Sequence, residues 1–114
     1  MKIPRADSRS AEFFRSIVPA DPRVKVRPMF GNLAAFLNGN MFLCLLGSEI
    51  ALRLSDSDRH ELLKEEGASI FEVVKGRPMK EYVTIPKGWQ TEPQRIRRWL
   101  DRSVEYAGRL PPKS

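Results

Sequence analysis

The sequence predicts an α+β domain built on an antiparallel meander, and three observations carry that prediction. The stretch Leu33-Ala-Ala-Phe-Leu-Asn-Gly-Asn-Met-Phe-Leu-Cys-Leu-Leu46 reads as two apolar strands joined at Asn38-Gly39. Asn-Gly between hydrophobic runs is a strong hairpin signal, because a type I′ turn needs φ > 0 at both central residues. A second turn at Gly47-Ser48 and a third apolar run to Leu54 extend the meander. Strands that follow one another through short turns argue for antiparallel pairing and against a doubly wound sheet. The predicted order is α-β-β-β-β-α-β-β-α: the meander, a second hairpin and about three helices.

Each element has its own grounds. Residues 8–18 place Phe13, Phe14, Ile17 and Val18 at helical spacing, with Ser8 or Ser10 as cap and Pro19 as stop. Val24-Lys-Val-Arg27 alternates as a strand, and Pro28 puts it at an edge or a bend. Met29 and Phe30 are expected in the core. Gly31 is expected to supply a backbone angle closed to other residues, or a close approach.

The hairpins set a register. A two-residue loop at Asn38-Gly39 places Phe36 opposite Met41 and Ala34 opposite Leu43. Gly47-Ser48 places Leu45 opposite Ile50, Leu43 opposite Leu52 and Met41 opposite Leu54. Opposed residues share a face. One face then collects Ala34, Phe36, Met41, Leu43, Leu45, Ile50, Leu52 and Leu54. The other collects Leu33, Ala35, Leu37, Phe42, Cys44, Leu46, Ala51 and Arg53, too apolar to stand fully in water. Partial cover is expected there, with Met41–Leu46 as a central strand.

Ser55-Asp-Ser-Asp58 opens the second helix, with acids suited to the exposed N–H groups of the first turn. That helix carries Leu62 and Leu63 and ends near Gly67. Residues 70–74 and 79–85 are rich in strand formers, joined by the loop Lys75-Gly-Arg-Pro78. Pro86-Lys-Gly-Trp89 reads as a loop. Thr91-Glu-Pro-Gln94 matches a capping box for a last helix from about Glu92 to Ala107. Ile96, Trp99, Leu100, Ser103, Val104 and Ala107 share one side of it. Gly108 and Pro111-Pro112 end it, which makes residues 108–114 a flexible tail after a core of residues 8–107.

Composition bounds the function. The 114 residues suit one domain, and 41% hydrophobic with 30% charged is ordinary for a globule. No apolar run approaches the ~20 residues of a membrane span, and Met1–Asp7 lacks a signal segment. A cytoplasmic location is the default expectation. Cys44 is the single cysteine and His60 the single histidine, so neither a disulfide framework nor a Cys/His metal site is expected. Cys44 reads as a buried thiol, and His60 as a solvated side chain on a charged helix. Asp56, Asp58, Glu61, Glu65 and Glu66 lack metal-site spacing and read as a solvated face. The basic loop Lys75–Pro78 is not a P-loop. Cys44, His60, Glu81 and Tyr82 form no catalytic motif, so no enzyme activity and no cofactor are expected.

The net charge of +6 permits nucleic-acid contact. At about 100° per residue, Arg95, Arg98 and Arg102 line one flank of the last helix. With Lys75, Arg77, Lys80 and Arg27 they are the candidate residues for binding nucleic acid or a partner. Homodimerisation is a further candidate arrangement, because the second sheet face carries so much apolar area.

Five segments together identify a family resemblance. They are Val26-Arg-Pro-Met-Phe-Gly31, Asn38-Gly-Asn-Met-Phe42, Ile50-Ala-Leu-Arg-Leu54, Lys75-Gly-Arg-Pro-Met79 and Tyr82-Val-Thr-Ile-Pro86. The chain resembles the TfoX/Sxy N-terminal domain over roughly Phe13 to Ala107. It departs from that pattern at Gly31-Asn32, where a glycine pair is usual, and it ends shortly after the last helix, without the C-terminal domain of the fuller regulators. The resemblance implies an α+β domain of the kind associated with regulating bacterial DNA uptake, where fuller proteins act with the cyclic-AMP receptor protein at promoters. It implies a non-enzymatic regulatory or adaptor domain that binds a protein partner in transcription. Direct nucleic-acid binding through the basic last helix is the alternative. It offers no catalytic residues to carry over.

Overall fold

One six-stranded antiparallel sheet, ordered β1-β2-β3-β4-β6-β5, organises the computed structural model, which describes residues 3–113. The elements are α1 (Ser8–Ile17), β1 (Val24–Met29), β2 (Asn32–Leu37), β3 (Asn40–Leu46), β4 (Glu49–Arg53), α2 (Asp56–Leu62), β5 (Ser69–Val74), β6 (Arg77–Thr84), a 3-10 helix (Lys87–Thr91) and α3 (Pro93–Arg109). The predicted α-β-β-β-β-α-β-β-α order is present. β1, with its Pro28, is an edge strand, and β3 lies inside the sheet. Met1 and Lys2 of the stretch read for a signal segment, and Ser114 of the expected tail, lie outside the described residues.

Local signals explain most element ends, with three corrections. Asp7, not Ser8 or Ser10, caps α1, its Oδ1 accepting the Ser10 N–H at 2.8 Å. Ser55 caps α2 as expected, accepting from the Asp58 N–H. The expected capping box at Thr91 does not form. Thr91 Oγ1 donates instead to the Gly88 carbonyl within the 3-10 helix, and Glu92 is the N-cap of α3 without a side-chain bond. Pro93 takes the first helical position, where its missing N–H costs nothing. The expected four-residue loop between β5 and β6 shrinks to Lys75-Gly76, because Arg77 pairs with Val74. Pro78 is tolerated there because β4 reaches β6 only over Tyr82–Thr84.

The register differs from expectation at one place, and the consequence is large. Leu45 opposes Ile50, Leu43 opposes Leu52 and Phe36 opposes Met41 as predicted. A bulge then intervenes: Ala35, not Ala34, opposes Leu43, and Ala34 opposes Cys44. The extra residue on β3 is Phe42. A bulge turns two neighbours to one side, and both Phe42 and Leu43 join the main core. Every partner before the bulge changes face. Leu33, Ala35, Leu37 and Phe42 join Leu43, Leu45, Ile50, Leu52 and Leu54 under the helices. Ala34, Phe36 and Met41, expected with Leu43, lie on the opposite face with Cys44, Leu46 and Ala51. Leu54 does not pair with Met41; its N–H donates to the Glu81 carbonyl.

All three helices pack on the face that holds Leu43 and Leu52, α1 over β2 and β3, α2 over β6, and α3 over β3 and β4. Phe14, Leu62, Val83, Ile85, Ile96, Trp99 and Leu100 complete that core. The bulge is hydrogen-bonded from both sides. The Tyr82 hydroxyl donates to the Met41 carbonyl at 2.8 Å. On the helix side the fully buried Ser103 hydroxyl lies 3.0 Å from the Phe42 carbonyl and 2.7 Å from the Arg53 carbonyl. Ser103 sits among apolar neighbours because a broken ladder needs a donor there.

Asparagines tie both ends of the chain to the sheet. Asn32 donates through Nδ2 to the Pro4 carbonyl at 2.7 Å and accepts the Gly47 N–H through Oδ1 at 2.8 Å. Asn40 Nδ2 donates to the Pro111 carbonyl, and the Lys113 N–H to the Asn38 carbonyl. Pro111 and Lys113, placed in a flexible tail by sequence, thus lie on the Asn38-Gly39 turn.

Ser103→Ala strips a donor from the bulge without changing helix propensity for the worse. It should lower unfolding free energy by about 1–3 kcal/mol, as for other buried unsatisfied carbonyls. Urea denaturation with unchanged far-UV circular dichroism of the native state measures it.

Candidate binding surface

Small residues create a depression on the sheet face away from the helices. Ala34, Cys44 and Ala51 stand opposite one another across β2, β3 and β4. Larger side chains surround this floor: Met29, Phe36, Met41 and Leu46 on one side, Phe71, Val73, Met79 and Tyr82 on the other. The resulting groove has a volume of about 200 Å³, and Ile3, Phe30, Cys44 and Phe71 are among its wholly apolar lining. Met29, Met41 and Met79, three of the four methionines in the chain, line it. Among the described residues no helix packs on this face. The partial cover expected from sequence comes from the N-terminal segment: Ile3 reaches the groove, and Ala6 N–H donates to the Gly31 carbonyl.

Phe30 stands at the mouth of the groove, 71% exposed, and not in the core as expected. Met29 pairs with Asn32, so Phe30 and Gly31 are the two loop residues of the β1–β2 hairpin, and a side chain at such a tip projects past the strands that could cover it. Their φ angles are 51° and 78°; those of Asn38 and Gly39 are 51° and 81°. The chain thus builds the same turn twice. Asn tolerates the left-handed region, whereas a bulky side chain there is strained by about 1–2 kcal/mol. Gly31 meets both expectations at once, since its φ is positive and a Cβ would collide with the Arg5 side chain.

The seven basic candidates fall in three places. Arg27 lies on the open face, its guanidinium 5.4 Å from the centre of the Phe36 ring. Lys75, Arg77 and Lys80 belong to the β5–β6 hairpin that also carries Val73 and Met79. Arg95, Arg98 and Arg102 lie on α3 on the helix side of the sheet. Arg95 stacks on Trp89 at 4.5 Å and meets Glu65 at 3.2 Å and Glu92 at 3.6 Å. Arg102 stacks on Trp99 at 4.5 Å and meets Glu61 at 3.0 Å and Asp58 at 3.4 Å. Arg98 lines the same cleft, with Glu61 and Glu65. Of the five acids read as a solvated face, Asp58, Glu61 and Glu65 therefore turn towards α3, while Asp56 pairs with Arg59. Sequence periodicity shows which residues share a helix face, but not which faces of two helices meet.

The chemically interesting side chains are held quiet. Burial pushes the Cys44 thiol up to about 12 and the Tyr82 hydroxyl up to about 12. The Glu81 carboxyl is held below its usual range chiefly by the Arg53 side chain at 2.8 Å, with Tyr106 donating at 3.2 Å. Among the described residues no three His, Cys, Asp or Glu side chains converge as metal ligands, and no helix is long and apolar enough to cross a membrane. Sequence reasoning missed Phe30 and the three methionines as surface residues. The available signal was Phe-Gly between two strand-forming runs.

The family model for the TfoX N-terminal domain matches residues 17–107 of the chain. A comparison with curated proteins finds no match.

Phe30→Asn places a tolerant residue in the left-handed turn and should raise unfolding free energy by about 1 kcal/mol, measured by denaturant titration. A second expectation concerns alkali. Cys44 and Tyr82 are raised in the folded state from 9.0 and 10.0, so the unfolded chain releases their protons first. Their contribution is fully present below pH 9 and is lost as pH climbs towards 12. Melting temperature followed from pH 8 upward should fall accordingly, and Cys44→Ala should blunt the fall.

Proposed function

Because the chain belongs to the TfoX N-terminal domain family, we propose that it acts as a regulatory or adaptor domain in transcription, docking a protein partner through the open face of its sheet. The observation that supports this reading is the groove itself: apolar, methionine-lined and without a helix over it. Contiguous apolar surface on a soluble domain marks an interaction site more often than not. The exposed phenylalanine at its mouth adds an aromatic of the kind that anchors interfaces. Direct nucleic-acid binding through Arg95, Arg98 and Arg102 has weaker support. Two of these three guanidiniums already meet carboxylates of α2 and the turn after it, which a phosphate would have to displace.

Cross-linking and affinity capture in the native host should recover a stoichiometric protein partner with the wild-type domain, and lose it with Met79→Glu on the open face. Recovery of the domain alone overturns the reading. Titration against duplex and single-stranded DNA at two salt concentrations decides the alternative. Binding that falls with salt and disappears on changing the three α3 arginines to Ala would favour nucleic acid.

A further inference from the structure

We infer that the groove receives the apolar side of an acidic amphipathic helix from a partner protein, with Phe30 as the anchoring side chain. The inference rests on the adaptor reading and adds the site, the chemistry of the partner and the residue that holds it.

Strain is the first argument. The Phe30-Gly31 and Asn38-Gly39 turns have the same backbone geometry, so the fold has a tolerant solution at hand and uses it once. At the other turn it keeps a strained, 71% exposed aromatic. At 71% exposure Phe30 gains little burial on folding to set against that strain, and strain retained at the surface points to binding. Size is the second. About 200 Å³ falls below the roughly 300–1,000 Å³ of small-molecule sites. It suits two or so side chains presented at helical spacing. The methionines are the third: flexible thioethers repack around varied helix side chains.

Charge selects the partner. Arg27 lies on the open face, Arg5 packs against the Phe30-Gly31 turn, and Lys75, Arg77 and Lys80 belong to the hairpin at the other wall. Among the described residues none of these five forms an ion pair. Of the acids by this face, Glu49 stands opposite Leu46, and Glu81, next to Tyr82, is already paired with Arg53 at 2.8 Å. A second copy of the chain would bring like charges together. An acidic helix brings opposite ones, and its glutamates would meet the cationic rim while its leucines fill the groove.

The test uses synthetic stapled helices with leucines at i, i+3, i+4 and i+7, flanked by glutamates in one peptide and by lysines in the other. They are titrated into the domain carrying 13C-methyl methionine. The acidic peptide should shift the Met29, Met41 and Met79 methyl signals, and the lysine peptide should bind at least about tenfold more weakly. Phe30→Asn should weaken the acidic peptide about thirtyfold while melting no lower than wild type, which separates lost contact from lost fold. The combined charge reversal Arg27→Glu and Arg77→Glu should reverse the preference between peptides. Unmoved methyl signals with the acidic peptide, equal binding of both, or indifference to Phe30→Asn overturns the inference. So do methyl shifts that track protein concentration without peptide, which assign the face to self-association, or Phe30-dependent binding to phosphatidylglycerol vesicles with no response to either peptide. Should host capture yield a partner while the peptides fail, the adaptor reading stands and this inference falls.

Discussion

The bulge at Phe42 is the constraint on which the rest depends. One extra residue in β3 lets Phe42 and Leu43 both enter the helix-side core and sends Met41 to the other face. Its cost is a broken ladder, and buried carbonyls without donors are expensive. Tyr82 and Ser103 offset that cost from opposite sides of the sheet. Ser103 also reaches the end of β4, so one hydroxyl couples α3 to two strands. The last helix is thereby keyed to the sheet by a polar contact as well as by its apolar stripe.

The two faces acquire different characters from this arrangement. On the helix side, bulky aliphatics and aromatics fill the space between sheet and helices, as close packing requires. On the far side, Ala34, Cys44 and Ala51 align at the floor while methionines and aromatics ring them. A depression follows from side-chain size alone. Asn32 holds its upper rim by tying Pro4 and the Gly47 turn together. The asparagine uses both ends of its amide to do so. Beside it, Phe30 keeps a left-handed backbone that the Asn38 turn adopts without strain.

The charged residues show how tertiary contacts redistribute a net charge. The chain carries an excess of +6, yet the α3 arginines nearest α2 stack on tryptophans and meet Asp58, Glu61 and Glu65. These pairs are partly exposed and individually weak. Their effect is on the field the helix presents, which is far less cationic than its sequence suggests. Arg27 on the open face, and Lys75, Arg77 and Lys80 on the hairpin at its edge, form no such pairs among the described residues.

Much was legible in the sequence. Element order, the edge position of β1, the Asn38-Gly39 turn, the Leu45–Ile50 register and the buried stripe of α3 all follow from local signals: turn chemistry, proline, and periodicities of two and 3.6. The family followed from short motifs. What the sequence did not determine was which face each residue of β2 takes, because a single bulge inverts a period-two pattern and leaves no mark in composition. Nor did it show that Phe30 lies outside the core, since hydrophobicity favours burial while loop geometry forbids it at a two-residue hairpin tip. The pairing of the α3 arginines with the acids at α2 was equally hidden, because it depends on two helices lying side by side on one face of the sheet. Local chemistry thus specified the elements, while tertiary packing decided their faces, and the candidate site is a property of faces.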